Sequence, residues 1–218
     1  MVEINPTQPS ANPVINEPAP SQVQSATKAV VTTTGQIQSS STKKIVLMGP
    51  DGSGKTTWFH KVRTGEFRVN YMASVGVEIN PIEVTSTTGE TTTFQVWDTA
   101  GSEKLTVNSH YIDAHGFVLL FDIHVNDNNN ISCGLEFPLF LFSLKNHADS
   151  LGGNLPRVVF AANKSDIVTA KNAELIDGWS NGFRCMLIEF GLTDFHLLTM
   201  SVKDDSVEDL LTPLMQFV

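Results

Sequence analysis

The chain has 218 residues, of which 41% are hydrophobic, and its formal net charge at pH 7 is −9. This length and composition allow one or two globular domains with a buried core. The excess of negative charge argues against broad electrostatic contact with nucleic acid or anionic lipid, because both are themselves negatively charged. We therefore expect no direct binding to nucleic acid.

Membrane attachment is not expected either. No apolar run approaches the roughly 20 residues that a helix needs to cross a bilayer. The first residues do not resemble a secretory signal, and the last four, MQFV, include no cysteine for prenylation. The two cysteines, Cys133 and Cys185, are far apart in the sequence. That spacing favours two free, buried thiols over a disulfide.

Residues 1–42 differ in composition from the rest of the chain. They contain five of the ten prolines, no aromatic residue, and only Glu3, Glu17 and Lys28 as charged residues. A segment with so few apolar side chains cannot offset the conformational entropy lost on ordering. We expect a disordered tail rich in Ser, Thr, Pro and Gln, followed by one domain at 43–218.

From residue 43 onward, short apolar runs alternate with helix-like segments. Predicted strands lie at 43–48, 93–98, 117–122, 158–162 and 197–201, with a hairpin partner near 82–86. Helical patterns follow Gly54, Gly134 and Ala173, and Ser206 with Asp209 forms a capping box for a last helix. The alternation predicts an α/β fold: a doubly wound, mostly parallel, six-stranded sheet with one antiparallel edge strand. Ligands bind such sheets at the carboxyl ends of the strands.

The segment at 49–56, GPDGSGKT, matches the phosphate-binding pattern G-x-x-x-x-G-K-[ST] between a predicted strand and a predicted helix. Its glycines let backbone N–H groups surround a phosphate at a helix N-terminus. Lys55 would reach the β- and γ-phosphates, and the Thr56 hydroxyl would bind Mg²⁺. We assign the phosphate contacts to Asp51, Gly52, Ser53, Gly54, Lys55, Thr56 and Thr57.

Further Mg²⁺ and γ-phosphate contacts are expected after the strand at 93–98. Asp98 could hold the metal through a water molecule, and the Gly101 N–H could approach the γ-phosphate. Ser74 is a candidate for a hydroxyl that joins Mg²⁺ only when the γ-phosphate is present. The alternatives are a solvated aspartate at the end of a strand and an ordinary loop serine.

Two later segments predict recognition of guanine. In Asn163-Lys164-Ser165-Asp166, the Asp166 carboxylate can accept bonds from guanine N1–H and N2–H₂, a donor pair that adenine lacks. The Lys164 stem can lie along the purine, and Asn163 can tie this loop to the phosphate loop. Ser201-Val202-Lys203 follows the last predicted strand and offers the Val202 N–H to guanine O6. These motifs together favour guanosine over adenosine nucleotides.

Over roughly 43–218 the sequence resembles small GTPases of the Ras superfamily. Within it, the segments TGEF at 64–67, SVGVE at 74–78 and VWDTAG at 96–101 are most similar to the Ran family of nuclear-transport GTPases. The resemblance implies GTP and GDP with Mg²⁺ as ligands. It also implies an exchange factor, a GTPase-activating protein (GAP) and karyopherin-like transport receptors as partners, in nucleus and cytoplasm. Phe67 would then stack on guanine, unless it is a core residue. We expect a monomer.

Two departures from the family pattern bear on catalysis. Ser102 stands where the family places the glutamine that positions the attacking water, and serine is too short to reach that water. Asp51 stands at a position where most members have glycine, beside the path of a GAP arginine. With Lys55 and Ser102 as the catalytic positions, we expect slow GTP hydrolysis.

Two other functions remain open at this point. The same departures suit a GTP-bound scaffold or adaptor that never cycles. A divergent Rab-like trafficking GTPase is the third possibility, and the absence of a lipidation cysteine weighs against it.

Overall fold

The computed structural model describes residues 42–69, 76–99, 109–124, 137–153, 157–192 and 194–218. All strands and helices reported below belong to one compact unit, Ser39–Val218. The expected tail lies outside the described residues apart from Thr42, which begins the first strand. The proposed limits of tail and domain therefore stay a prediction.

The sheet has six strands in the order β2-β3-β1-β4-β5-β6. Strand β2 pairs with β3 in an antiparallel manner, and the other neighbouring strands pair in parallel. This arrangement confirms the predicted fold class. The strands are β1 (Thr42–Met48), β2 (Val77–Thr85), β3 (Thr91–Thr99), β4 (Gly116–Asp122), β5 (Arg157–Asn163) and β6 (Phe195–Thr199).

In the described part of the chain, five helices connect or follow the strands, together with 3₁₀ turns at Ser109–Tyr111 and Ser165–Ile167. The helices are α1 (Lys55–Thr64), α2 (Phe137–Ser150), α3 (Ala170–Glu189), α4 (Val207–Leu210) and α5 (Thr212–Met215). Within the described ranges, none of them combines the length and apolar character needed to cross a bilayer.

The register of the central strands brings their carboxyl ends to one edge of the sheet. Leu47 of β1 lies opposite Asp98 of β3, and Asp122 of β4 lies opposite Asn163 of β5. Side chains alternate between the two faces of each strand, so that each face packs its own core. This edge therefore collects the carboxyl ends of β1, β3, β4 and β5.

The two cores have different contents. One includes Phe121, Phe137 and Phe160, packed with Phe183 of α3. The other core packs α1 and the C-terminal segment against the opposite face through Trp58, Leu210 and other apolar residues. The Trp58 indole N–H also donates to the carbonyl oxygen of Leu210 at 2.9 Å.

Several boundaries differ from the sequence-based expectation. Strand β2 begins at Val77, five residues before the predicted start, because it pairs with β3 along its whole length from Val77 opposite Thr99. The expected last helix is divided into α4 and α5, and Pro213 lies in the first turn of α5, where its missing N–H costs no helical bond. The N-cap role of Ser206 is confirmed, since its Oγ accepts from the Asp209 N–H at 3.1 Å, and its hydroxyl donates to Asp209 Oδ2 at 2.8 Å.

The prediction of buried thiols is wrong for Cys185, which is free and exposed on α3. Helix α3 leaves one face in solvent, and Cys185 lies on that face, whereas Phe183 and Leu187 on either side of it are buried. Cys133 lies outside the described residues.

Candidate functional site

The loop between β1 and α1 has a backbone that only glycine accommodates easily. Gly49, Gly52 and Gly54 have φ values of 137°, 74° and 98°, a region that other residues rarely adopt. A Cβ on Gly49 would lie 1.9 Å from the Leu120 carbonyl oxygen. The sequence-predicted phosphate loop therefore forms a tight turn directly at the end of β1.

Lys55, the first residue of α1, is only 5% exposed. Its ammonium donates to the carbonyl oxygens of Gly49 at 2.8 Å and Pro50 at 2.9 Å, so its side chain lies across the loop. Ser53 Oγ is buried without a hydrogen-bond partner. A buried cation held by neutral carbonyls, beside a buried hydroxyl with no partner, is suited to an anion such as phosphate.

Asp98, at the end of β3, is 1% exposed, and its Oδ1 has no hydrogen-bond partner. Burial raises the pKa of Asp98 to about 6, opposed by the hydrogen bond from Thr56 and the charge of Lys55. A buried carboxylate with a free oxygen, beside a hydroxyl, is the oxygen-donor chemistry that Mg²⁺ prefers. Thr56 and Asp98 therefore fit a magnesium ion, whose positive charge would offset the cost of burying the carboxylate.

Asn163 joins the loops that follow three different strands. Its side chain is buried, and Nδ2 donates to the Ser53 carbonyl oxygen at 2.9 Å. Its Oδ1 accepts from the Val202 N–H at 3.1 Å. One amide therefore links the phosphate loop to both segments that the sequence assigns to the base.

Asp166 lies beside the segment that follows β6. Its Oδ1 accepts from the Ser201 hydroxyl at 2.9 Å, and its Oδ2 lies 3.7 Å from the Lys203 ammonium. The residue as a whole is exposed through its backbone, whereas its side chain is 10% exposed. These contacts hold the carboxylate in one orientation.

The comparisons with known proteins agree with this arrangement. Residues 44–166 match the family described as "Roc: Ras of Complex, Roc, domain of DAPkinase". The chain is also 37% identical, over 128 residues, to "GTP-binding nuclear protein GSP1" of Encephalitozoon cuniculi (strain GB-M1). That alignment covers 58% of this chain and 56% of the relative.

The chain belongs to the Ras superfamily of small GTPases. Within it, the chain is a divergent Ran-like member. Proteins of the Ras and Ran type bind GTP and GDP, typically with Mg²⁺. The chain spans little more than half the length of that relative.

The structure brings together most of the residues that the sequence assigns to the nucleotide site of this small GTPase. Ser74, Gly101 and Ser102 lie outside the described residues, and their roles stay predictions. Asp51 and Gly52 are exposed on the phosphate loop, and Thr57 is half-buried. Phe67 is 38% exposed, which argues against its being a core residue.

Sequence reasoning missed three residues that contact this site. Asp122 Oδ2 accepts from the Lys164 ammonium at 2.8 Å, and this contact holds the lysine stem against the end of β4. Lys61 and Asp205 bond to the loop at 201–205. The position of Asp122 at the end of a predicted central strand could have drawn attention to it. No pattern in the sequence relates Lys61 to a loop more than a hundred residues away.

Proposed function

We propose that the protein is a GTP-dependent molecular switch that binds GTP and GDP with Mg²⁺. The observation that carries this proposal is the pair of bonds made by Asn163 to Ser53 and Val202. Through them, a site for phosphate and a site for a base become one continuous binding edge. A phosphate loop alone would be compatible with many nucleotide-binding folds.

Selectivity for guanine would come from Asp166. Its carboxylate accepts from Ser201 on one oxygen and would accept from guanine N1–H and N2–H₂. The Val202 N–H bonds to Asn163 Oδ1, so its segment is fixed beside the base site, and a modest adjustment would turn that N–H toward guanine O6. Adenine offers the opposite donor pattern, and a site built on paired hydrogen bonds discriminates strongly against such a ligand.

The phosphates and the metal would occupy the opposite end of the site. Lys55 and the N–H groups of the phosphate loop would bind the β- and γ-phosphates, while Thr56 and Asp98 would hold Mg²⁺ together with Ser74. When bound, the metal would neutralise charge that develops on the phosphate oxygens. Phe67, which is partly exposed in the segment after α1, would be available to stack on the base.

Hydrolysis should be slow in this protein. Ser102 is too short to orient an attacking water, the part that the family's glutamine plays. Asp51 is exposed on the phosphate loop, where its negative charge would oppose the γ-phosphate and its bulk would obstruct an approaching arginine. Each effect alone would lower the rate of hydrolysis.

The Ran-like sequence favours a role in nucleocytoplasmic transport, with karyopherin-like receptors binding the GTP form. The name of the relative describes that protein as nuclear, which supports a nuclear and cytoplasmic location here. An exchange factor and a GAP would be the other partners. A non-cycling, GTP-bound scaffold is the second candidate, favoured by Ser102 and by the exposed carboxylate of Asp51.

Two measurements test the proposal. Nucleotide released from the purified protein by denaturation identifies the resident ligand: GDP supports a switch that hydrolyses, and stable GTP supports the scaffold. Multiple-turnover phosphate release with matched exchange factor and GAP then tests the slow rate. Release as fast as that of a glutamine-containing Ran protein would contradict the effect assigned to Ser102 and Asp51.

A further inference from the structure

A buried lysine of α1 contacts the loop that follows β6. Lys61 is 7% exposed, and its ammonium donates to the carbonyl oxygens of Lys203 at 3.0 Å and Asp205 at 2.7 Å. Both acceptors are neutral. Burying a charge is unfavourable unless the charged group is well hydrogen-bonded, so Lys61 and this loop should constrain one another closely.

Asp205 constrains the same loop from within. Its carboxylate accepts from the Ser201 N–H at 2.7 Å, and its own N–H donates to the Ser201 carbonyl oxygen at 2.9 Å. The Ser201 hydroxyl also accepts from the Asp204 N–H at 3.0 Å. The segment at 201–205 is therefore a closed turn, held internally by Asp205 and externally by Lys61.

The turn at 201–205 also orients the Asp166 carboxylate, which is assigned to guanine. Ser201 Oγ donates to Asp166 Oδ1 at 2.9 Å, and Lys203 Nζ lies 3.7 Å from Asp166 Oδ2. A continuous chain of bonds thus runs from Lys61, through the turn, to Asp166. Hydrogen-bonded chains of this kind fix the direction in which a terminal acceptor points.

We propose that Lys61 and Asp205 are positioning residues for guanine selectivity. They act on the base through the turn at 201–205, which sets the direction of the Asp166 carboxylate and the place of the Val202 N–H. This inference rests on the proposed guanine-nucleotide function. It adds that guanine selectivity also depends on α1, the helix whose first residues, Lys55 and Thr56, would bind the phosphates and the metal.

A comparison of GDP with inosine diphosphate isolates this effect. Inosine has the guanine N1–H and O6 but lacks the N2 amino group, so the ratio of the two dissociation constants measures how well Asp166 receives that amino group. The phosphate contacts are the same for both ligands. A change that merely loosened the domain would weaken both ligands and leave their ratio unaltered.

The experiment measures both dissociation constants, with Mg²⁺, for the full chain and four variants. Lys61→Met and Asp205→Ala should lower the preference for GDP by about tenfold, the effect of weakening one hydrogen bond worth about 1.4 kcal/mol. Lys61→Arg should restore most of it, because a guanidinium also donates to two carbonyls. Arg63→Met, which removes a positive charge from the exposed side of the same helix, should leave the ratio unchanged.

Equal weakening of both ligands in Lys61→Met, or an unchanged ratio, would overturn the proposal for Lys61, and the same outcomes in Asp205→Ala would overturn it for Asp205. A Lys61→Met protein that does not fold would also overturn the proposed positioning role of Lys61. Asp205→Ala would then decide whether Asp205 has that role. Absence of GDP binding to the unaltered protein would instead refute the proposed function itself. The two failures are therefore distinguishable.

Discussion

Gly54 and Asn163 approach one another so closely that a Cβ on Gly54 would lie 2.4 Å from Asn163 Nδ2. The absence of a side chain at Gly54 lets this amide reach the Ser53 carbonyl oxygen beside it. The glycine that precedes Lys55 in the phosphate motif thus also serves the base-binding loops. Phosphate and base sites are connected through that contact.

The first prediction concerns this contact. Gly54→Ala should destabilise the protein by more than about 1 kcal/mol, because alanine must adopt a φ of 98° and also displace Asn163. It should also weaken GDP binding. Chemical denaturation and titration with GDP measure the two effects. Gly178→Ala is the matched control: this glycine lies within α3 with open space around its Cβ, so the change should stabilise the protein slightly.

A second prediction concerns the metal. Asp98→Asn removes the negative charge beside Thr56 and should abolish most of the gain in GDP affinity that Mg²⁺ gives the unaltered protein. Titrations with GDP in Mg²⁺ and in a chelator measure that gain. Asp149→Asn, at an exposed position of α2, should retain it. If Asp98→Asn keeps the full effect of Mg²⁺, the ion is held elsewhere.

The third prediction concerns the base. Asp166→Asn should shift preference from guanosine toward xanthosine nucleotides by at least about 100-fold, because an amide donates where the carboxylate accepted and xanthine has an oxygen in place of the N2 amino group. Competition between GTP and xanthosine triphosphate provides the measurement. Asp177→Asn, on the exposed side of α3, is the charge-matched control. An unaltered preference for GTP in Asp166→Asn would mean that the base binds at another place.

A fourth prediction concerns stability in mild acid. His147 is 2% exposed and packs edge-on against the rings of Tyr111 and Phe117, with centroid distances of 5.6 and 6.0 Å. Burial lowers the pKa of His147, and the charge of Lys44 lowers it further, against a backbone hydrogen bond with Tyr111. The unfolded chain therefore binds a proton more readily at this position than the folded one.

That difference in proton binding sets the direction in which stability changes with pH. The contribution of neutral His147 is fully present above the ordinary histidine pKa near 6.5 and is lost as pH falls through the lowered folded-state pKa, with a slope of at most about 1.4 kcal/mol per pH unit. Denaturation curves between pH 7.5 and pH 5.5 measure this loss of stability. His147→Gln should show a smaller decline than the unaltered protein, whereas His124→Gln, at an exposed position, should not. Parallel declines in all three proteins would refute this account.

Much of the fold could be predicted because its signals are local. Central parallel strands are buried on both faces, and the resulting apolar runs, such as 117–122, identify them directly. The loops that carry the motifs must follow these strands, so the positions of Lys55 and Asn163 at one edge could be expected. The start of β2 could not, because it is set by the pairing of Val77 with Thr99 at the far end of the hairpin.

The supporting residues of the site escaped prediction for a physical reason. Lys61 in α1 has the sequence context of a solvent-facing lysine, and only the packing of α1 against the C-terminal segment buries its ammonium against two carbonyls. Cys185 shows the reverse case, since its residue type favours burial but its helical face is open to solvent. Tertiary packing decided both outcomes.

Calorimetric titration of the folded, nucleotide-free protein with GDP, GTP and ATP in the presence of Mg²⁺ shows whether the site binds guanine nucleotides selectively. We expect saturable binding of one guanine nucleotide per chain, weakened by chelation of Mg²⁺, with ATP binding at least about 100-fold more weakly. Folded protein that binds neither guanine nucleotide, or that binds ATP equally well, would contradict it.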